Sequence, residues 1–147
     1  MGSITLPASG DVYVDANVVI YMVEAHPTYY PLLEPVWKSS QTGAFRVVTS
    51  ALTILESLVG PLKKSDAAMT AAFNALFSSA DLTTLPIDEQ VLREAAGLRA
   101  KHSGLRTPDA IHAATAIMHS AHLFITNDPA FRRVVGLNVT VLSDLIP

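Results

Sequence analysis

Four acidic residues stand where a parallel-sheet protein would bring them together. Asp15 closes the apolar run Asp11–Asp15, and Glu56 ends the segment that begins at Thr49. Asp109 opens the stretch that follows Thr107-Pro108, and Asp128 ends the segment that begins at Leu123. Each follows a strand-like run or a helix start within a few residues. Carboxylates gathered at one edge of a sheet repel one another unless a cation lies between them. Hard divalent cations take oxygen ligands, so these residue types in this placement point to divalent-metal chemistry.

The elements that must position them are legible as two alternating patterns. Short apolar runs at Val12–Val14, Arg46–Thr49, Leu82–Leu85, Leu123–Thr126 and Val139–Leu142 are rich in Val, Leu, Ile and Thr, as strands buried on both faces are. Helical patterns separate them at Asn17–Ala25, Pro31–Thr42, Ala51–Leu58, Ser65–Ser79, Asp88–His102 and Pro108–Ser120, with Gly104 as a helix stop and a short helix at Pro129–Val134. This alternation predicts a three-layer α/β domain on a mostly parallel sheet. Ligands in such sheets bind beyond the carboxyl ends of the strands, where the strand order reverses. Asp15 ends the first run and Asp128 lies just past the fourth; if those strands are neighbours, the two share one crevice.

With 147 residues, half of them hydrophobic, the chain can bury one core without disulfides or structural metal. The absence of cysteine excludes thiolate nucleophiles and cysteine zinc sites. No apolar run approaches the ~18–20 residues needed to span a bilayer, and the N-terminal stretch lacks the pattern of a signal peptide. The chain therefore reads as soluble and cytoplasmic, with residues 1–10 a flexible lead-in and 11–147 a single domain. A net charge of −3 argues against a nucleic-acid partner, but two bound divalent cations would turn −3 into +1.

Each acid also has an ordinary structural use. Asp15 suits the cap of a helix starting near Asn17. Asp128 before Pro129 suits an N-cap with Pro at the first helical position. Asp109 falls in a first helical turn, where the helix dipole favours negative charge. Glu56 shares a helix face with Thr53, Ser57 and Gly60, as in a solvated stripe. A capping carboxylate still keeps a free oxygen, so these uses do not exclude a metal. The histidines 26, 102, 112, 119 and 122 form no His-Glu-x-x-His pattern. His112 reads more readily as core packing than as a site residue. The small residues Ala110, Ala113, Ala114 and Ala116 let their helix press against the sheet. Tyr13, Tyr21, Tyr29, Tyr30, Phe45 and Trp37 show no base-stacking pattern separable from core.

Arg99, Lys101 and Arg106 precede Asp109, and Arg132 and Arg133 follow Asp128. They are either solvated helix ends or a basic rim that holds phosphates around an acidic centre. No glycine-rich phosphate loop and no Gly-x-Ser-x-Gly elbow is present, which disfavours dinucleotide, P-loop and α/β-hydrolase chemistry.

Over about residues 11 to 145 the chain resembles PIN-domain proteins, most closely the VapC-type toxin ribonucleases of type II toxin–antitoxin systems. The resemblance is carried by Val14-Asp15-Ala16-Asn17, by Ser50 with Glu56, by Thr107-Pro108-Asp109 through Ala116, and by Thr126-Asn127-Asp128-Pro129-Ala130-Phe131. It implies a five-stranded parallel sheet in the order 3-2-1-4-5, which sets the first and fourth strands side by side. It also implies hydrolysis of RNA phosphodiesters with Mg²⁺ or Mn²⁺, one or two ions, held by the acidic quartet Asp15, Glu56, Asp109 and Asp128. Asn17, Ser50 and Thr126 match the family's polar supporting positions. VapC-type toxins usually form homodimers and are silenced by a cognate antitoxin. Here the first Asp comes later than usual and the chain is not basic.

On this reading Asp15 and Asp128 are central ligands, Asp109 binds directly or through water, and Glu56 orients a water or a second ion. The ion would polarise the scissile phosphate and lower the pKa of a bound water. The alternatives are a PIN-fold binding module without nuclease activity, a PIN nuclease of RNA processing, and a phosphatase acting on small esters. The last needs Asp-x-Asp after the first strand, where this chain has Asp15-Ala16-Asn17. A silencing partner would insert a basic side chain into the crevice and cover apolar helix surface near Leu32, Leu33 and Val36.

Overall fold

Five short strands form one sheet: β1 (Asp11–Val14), β2 (Arg46–Ser50), β3 (Thr83–Leu85), β4 (Leu123–Thr126) and β5 (Val139–Val141). The computed structural model describes residues 2–147. All neighbouring pairs are parallel, in the order β3-β2-β1-β4-β5. β1 is therefore the central strand, with Val12 opposite Val47 on one side and Leu123 on the other. The order expected from the resemblance is the order found.

The period of two along each strand divides the core between the two faces of the sheet. Val12, Val14, Val47, Leu123 and Ile125 point to one side. There they meet α1 (Ala16–Val23), α2 (Tyr30–Ser40) and α4 (Ala67–Phe77). Tyr13, Val48 and Phe124 point to the other side and meet α5 (Glu89–Lys101) and α6 (Thr107–Met118). This completes the three α/β/α layers. α3 (Leu52–Lys63) follows β2 and packs against α1 and α4, with further contacts to α6. The four alanines of α6 are all buried, which is the close approach to the sheet that their size permits.

One helix outruns the sequence reading because it accepts a proline. α3 runs to Lys63, past the expected end at Leu58, with Pro61 inside it and buried. α2 carries Pro31 in its first turn, where no intrahelical N–H is needed, and Pro35 further in. α1 stops before Ala25, whose φ of 51° is left-handed.

Residues 2–10, part of the expected flexible lead-in, contain no helix or strand and lie against the body. The Gly2 N–H donates to the Leu145 carbonyl at 2.9 Å, and Ile4 and Leu6 pack on the core of the α1–α2 face. Gly2, Ser3, Ile4 and Leu6 share a crevice with Leu32 and Val36 of α2. Leu32, Leu33 and Val36 are buried in the core of this face, which corrects their assignment as open partner surface. Gly10 ends the lead-in at φ 94°, and a Cβ there would collide with the His122 imidazole. Among the described residues, no helix is long and apolar enough to cross a membrane.

Candidate active site

The switch point of the sheet lies between β1 and β4, and two of the four acids emerge there. Asp15 follows β1 directly and caps α1, its Oδ1 accepting the Val18 N–H at 3.2 Å. Its Oδ2 accepts from the Thr126 hydroxyl at 2.5 Å. Thr126 is fully buried at the end of β4, and its oxygen in turn accepts the Asp128 N–H at 3.0 Å. One hydroxyl thus ties the two aspartates together. Asp128 caps the 3₁₀ turn Pro129–Arg133 through Oδ1, at 2.9 Å from the Ala130 nitrogen. The capping uses read from the sequence are real, and each carboxylate still has lone pairs beyond them.

Asp15 is 6 % exposed, and burial raises its pKa above the ordinary 3.8. His112, the Thr126 hydroxyl and the Val18 amide offset part of that rise, and the Glu56 charge adds to it. Among the described residues, no basic side chain forms an ion pair with Asp15.

Glu56 projects from the second turn of α3. Its Oε1 lies 2.7 Å from His112 Nε2 on α6. His112 Nδ1 lies 2.6 Å from the Tyr13 hydroxyl, which also accepts the Ser50 N–H at 3.1 Å. Burial first, then the Asp15 charge, pushes the Tyr13 phenol well above its ordinary 10.0, so it stays protonated. The face that Glu56 shares is not a solvated stripe, because Thr53 and Ser57 are both buried. Asp109 sits in the first turn of α6 and pairs with Arg106 at 3.2 Å.

One cleft of about 160 Å³ is lined by Asp15, Asn17, Glu56, Asp109, Asp128, Arg106 and His112, with Ala16, Ile20 and Phe131 as its apolar wall. The quartet and Asn17 therefore face a common space. Ser50 does not line it; its hydroxyl accepts the Leu52 N–H at the start of α3. Arg106 alone of the five basic candidates lines the cleft. Arg99 holds the turn before α6 through the Leu105 carbonyl and Thr107, and Arg132 pairs with Asp144. Lys101 and Arg133 are exposed and make no ion pair among the described residues. The sequence reading gave Tyr13 no role, although a tyrosine inside a buried strand signals a hydroxyl that needs a partner.

The donor set is all oxygen, apart from the imidazole behind Glu56. That suits a hard ion, which needs only one or two carboxylates besides water and phosphate oxygens. Asp15 is a buried carboxylate lacking an opposite charge, which a cation would supply. Among the described residues, however, no three acidic or histidine side chains already converge as a complete ligand cage. The residues fit a metal bound jointly with water and substrate, rather than one enclosed by protein.

A parallel sheet with an acidic cleft at its switch point defines the class: an α/β domain that gathers carboxylates at the carboxyl edge of its strands. The PIN-domain family model matches residues 12–137, and the chain belongs to that family. The fold is also that of several solved proteins. VapBC2 from Rickettsia felis, bound to a DNA fragment from its promoter, aligns with a TM-score of 0.69 and 21% identity over 88% of this chain and 98% of that one. VapBC-5 from Mycobacterium tuberculosis, a member of the VapBC family of toxin–antitoxin systems, aligns at 0.58 and 26% over 92% and 98%. FitAcB from Neisseria gonorrhoeae aligns at 0.64 and 20% over 91% and 99%. No curated protein matches the sequence significantly. The resemblance read from the four motifs is upheld at the level of family and fold.

Proposed function

We propose that the cleft is the active site of a Mg²⁺- or Mn²⁺-dependent endoribonuclease, the toxin of a toxin–antitoxin pair. One observation carries this reading: Asp15, Glu56, Asp109 and Asp128 line a single cleft at the sheet's switch point. The likeness in fold to proteins of VapBC systems supports the toxin assignment.

Asp15, Asp128 and Asp109 would hold the cation, with Glu56 oriented toward it or toward the attacking water. When bound, the cation supplies Lewis-acid polarisation of the phosphate and lowers the pKa of a water. The chain's own residues do the rest. Thr126 and the Val18 N–H fix Asp15 in one orientation. Arg106 leaves Asp109 to take two oxygens of a substrate phosphate, a bidentate contact that a guanidinium suits. Phe131 and Ile20 wall the cleft. The protein is proposed to act as a homodimer in the cytoplasm, held inactive by its antitoxin.

A second reading is a PIN-fold binding module without nuclease activity. It is favoured by the engagement of every acid: two cap helices, one pairs with Arg106 and one with His112. Incubation with structured RNAs, with and without Mn²⁺ and beside an Asp15→Asn control, separates the two. Cleavage that requires the ion and disappears with Asp15→Asn supports the nuclease. RNA left intact by wild type in Mn²⁺ supports the binding module.

A further inference from the structure

The proposed nuclease reading gives no task to a polar chain that runs from the buried centre of the sheet to the cleft. The Ser50 N–H donates to Tyr13, Tyr13 contacts His112, and His112 contacts Glu56. Tyr13 is fully buried and His112 is 2 % exposed, whereas the Glu56 side chain is 29 % exposed at the cleft. Only one proton arrangement of the neutral ring satisfies all three contacts. Glu56, as a carboxylate, can only accept, so Nε2 must carry a proton. Nδ1 is then an acceptor for the hydrogen bond that the Tyr13 hydroxyl donates, while the Tyr13 oxygen accepts the Ser50 N–H. The tyrosine ring cannot swing away. It stacks on Phe124 with centroids 5.0 Å apart and planes 8° apart, and Phe131 packs behind Phe124 at 4.7 Å.

We infer that Tyr13 and His112 are positioning residues that hold Glu56 in a single rotamer at the cleft. The inference rests on the proposed role of Glu56. A glutamate on an open helix face samples many rotamers, and fixing it costs about 1.5–2 kcal/mol of side-chain entropy. Here that freedom is already lost before any ligand arrives. The buried ring also fixes the direction of approach: Nε2 reaches one oxygen of Glu56 and leaves the other for the cleft. A purely structural histidine would need no donor aimed at a half-exposed acid.

The test combines a readout independent of nuclease activity with two variants. Nitrogen-15 NMR of the imidazole should show a single Nε2–H tautomer for His112 in the wild-type protein. A ring protonated on Nδ1 alone, or exchanging between tautomers, overturns the relay whether or not the protein cleaves RNA. His112→Phe fills the ring's space without a donor, and His112→Gln returns an amide N–H near the Nε2 position. Supporting groups of this kind typically change metal affinity or activity by about 10–100-fold. We expect a loss of that size in Mn²⁺ affinity, measured without RNA, and in kcat for His112→Phe. KM for RNA should hold within about threefold, because the change acts on Glu56 and not on RNA contacts. His112→Gln should recover most of both. Equal losses in the two variants, following their losses in melting temperature, would show that His112 only fills the core. Unchanged Mn²⁺ affinity and kcat in a folded His112→Phe would overturn the positioning role. Wild type that neither binds Mn²⁺ nor cleaves RNA would refute the nuclease reading, and the NMR result would still decide the relay.

Discussion

Asp15 is asked to do two things that oppose each other. It is buried without a basic partner, and it is proposed to be ionised when a cation binds. Its raised pKa means that folding shifts the group toward the protonated form relative to the unfolded chain. Between the unfolded value near 3.8 and the higher folded value, the native state binds more protons, so stability falls as pH rises through that window. Above the folded value the cost is fully present; below 3.8 it is absent. Asp15→Asn removes the cost and keeps a side-chain oxygen for capping α1. In EDTA at neutral pH its melting temperature should equal or exceed that of wild type, and the difference should vanish as pH falls through the window. RNA cleavage should drop by at least about 100-fold, the upper end of what supporting residues alone produce. A large fall in melting temperature would make Asp15 structural. Arg106 permits a second test at this scale. Its side chain is 76 % exposed, so its pair with Asp109 is worth at most about 1 kcal/mol. Arg106→Ala should barely alter stability, should weaken RNA binding, and should reduce the magnitude of the salt slope by about 0.7 if it meets one phosphate of a single strand. An unchanged slope would place Arg106 outside the substrate path.

Between residues and the fold lies the junction of β1 and β4, where Thr126 serves both aspartates at once. Thr126→Val keeps the shape and removes the hydroxyl. It leaves the Asp128 N–H without its acceptor and Asp15 Oδ2 without its donor, a change that costs about 1–3 kcal/mol for a buried group. A denaturant midpoint should register that loss, and activity should fall by about 10–100-fold. Full activity in Thr126→Val would mean that the caps alone position the two acids. Much of this junction was legible in the sequence, because Asp15 and Asp128 each end an apolar run and strand ends at a switch point are where ligands bind. The Tyr13–His112–Glu56 chain was not. Its partners lie 99 and 56 residues apart, so a tyrosine in a buried strand signals that its hydroxyl needs a partner without saying which residue supplies it. Ser50 was matched to a polar supporting position through the family resemblance, yet its hydroxyl turns back to Leu52 and its N–H turns toward Tyr13. The ends of strands can be read from type and pattern; the direction of each side chain beyond them depends on tertiary neighbours.

At the scale of the molecule, the proposed toxin reading requires a surface for a silencing partner. The α2 face is taken by the chain's own lead-in, since Ile4 and Leu6 pack there and Leu32, Leu33 and Val36 are buried. Three of the six large exposed hydrophobics among the described residues instead cluster on α3. Leu55 is 66 %, Val59 45 % and Leu62 61 % exposed, and with Ile54 and Leu58 they line one groove. Clustered apolar side chains of this kind mark interaction surfaces. α3 also carries Glu56, so an antitoxin segment seated along this helix would reach the acidic cleft. The cleft already accommodates one guanidinium, that of Arg106 on Asp109. An arginine from the partner could pair with two of the carboxylates there, and it would then exclude the cation that cleavage needs. Binding and silencing would become a single event. Leu55→Asp combined with Leu62→Asp tests this. Both side chains are largely in solvent, so each change should move stability by no more than about 0.5 kcal/mol. The free variant should cleave RNA like wild type. Its affinity for the antitoxin co-purified from the native operon should fall by at least about tenfold if these leucines are anchors. Adding that antitoxin should then leave RNA cleavage running in the variant and stop it in wild type. Equal silencing of both proteins, or a wild-type complex that cleaves as fast as the free protein, would remove α3 as the route to the cleft.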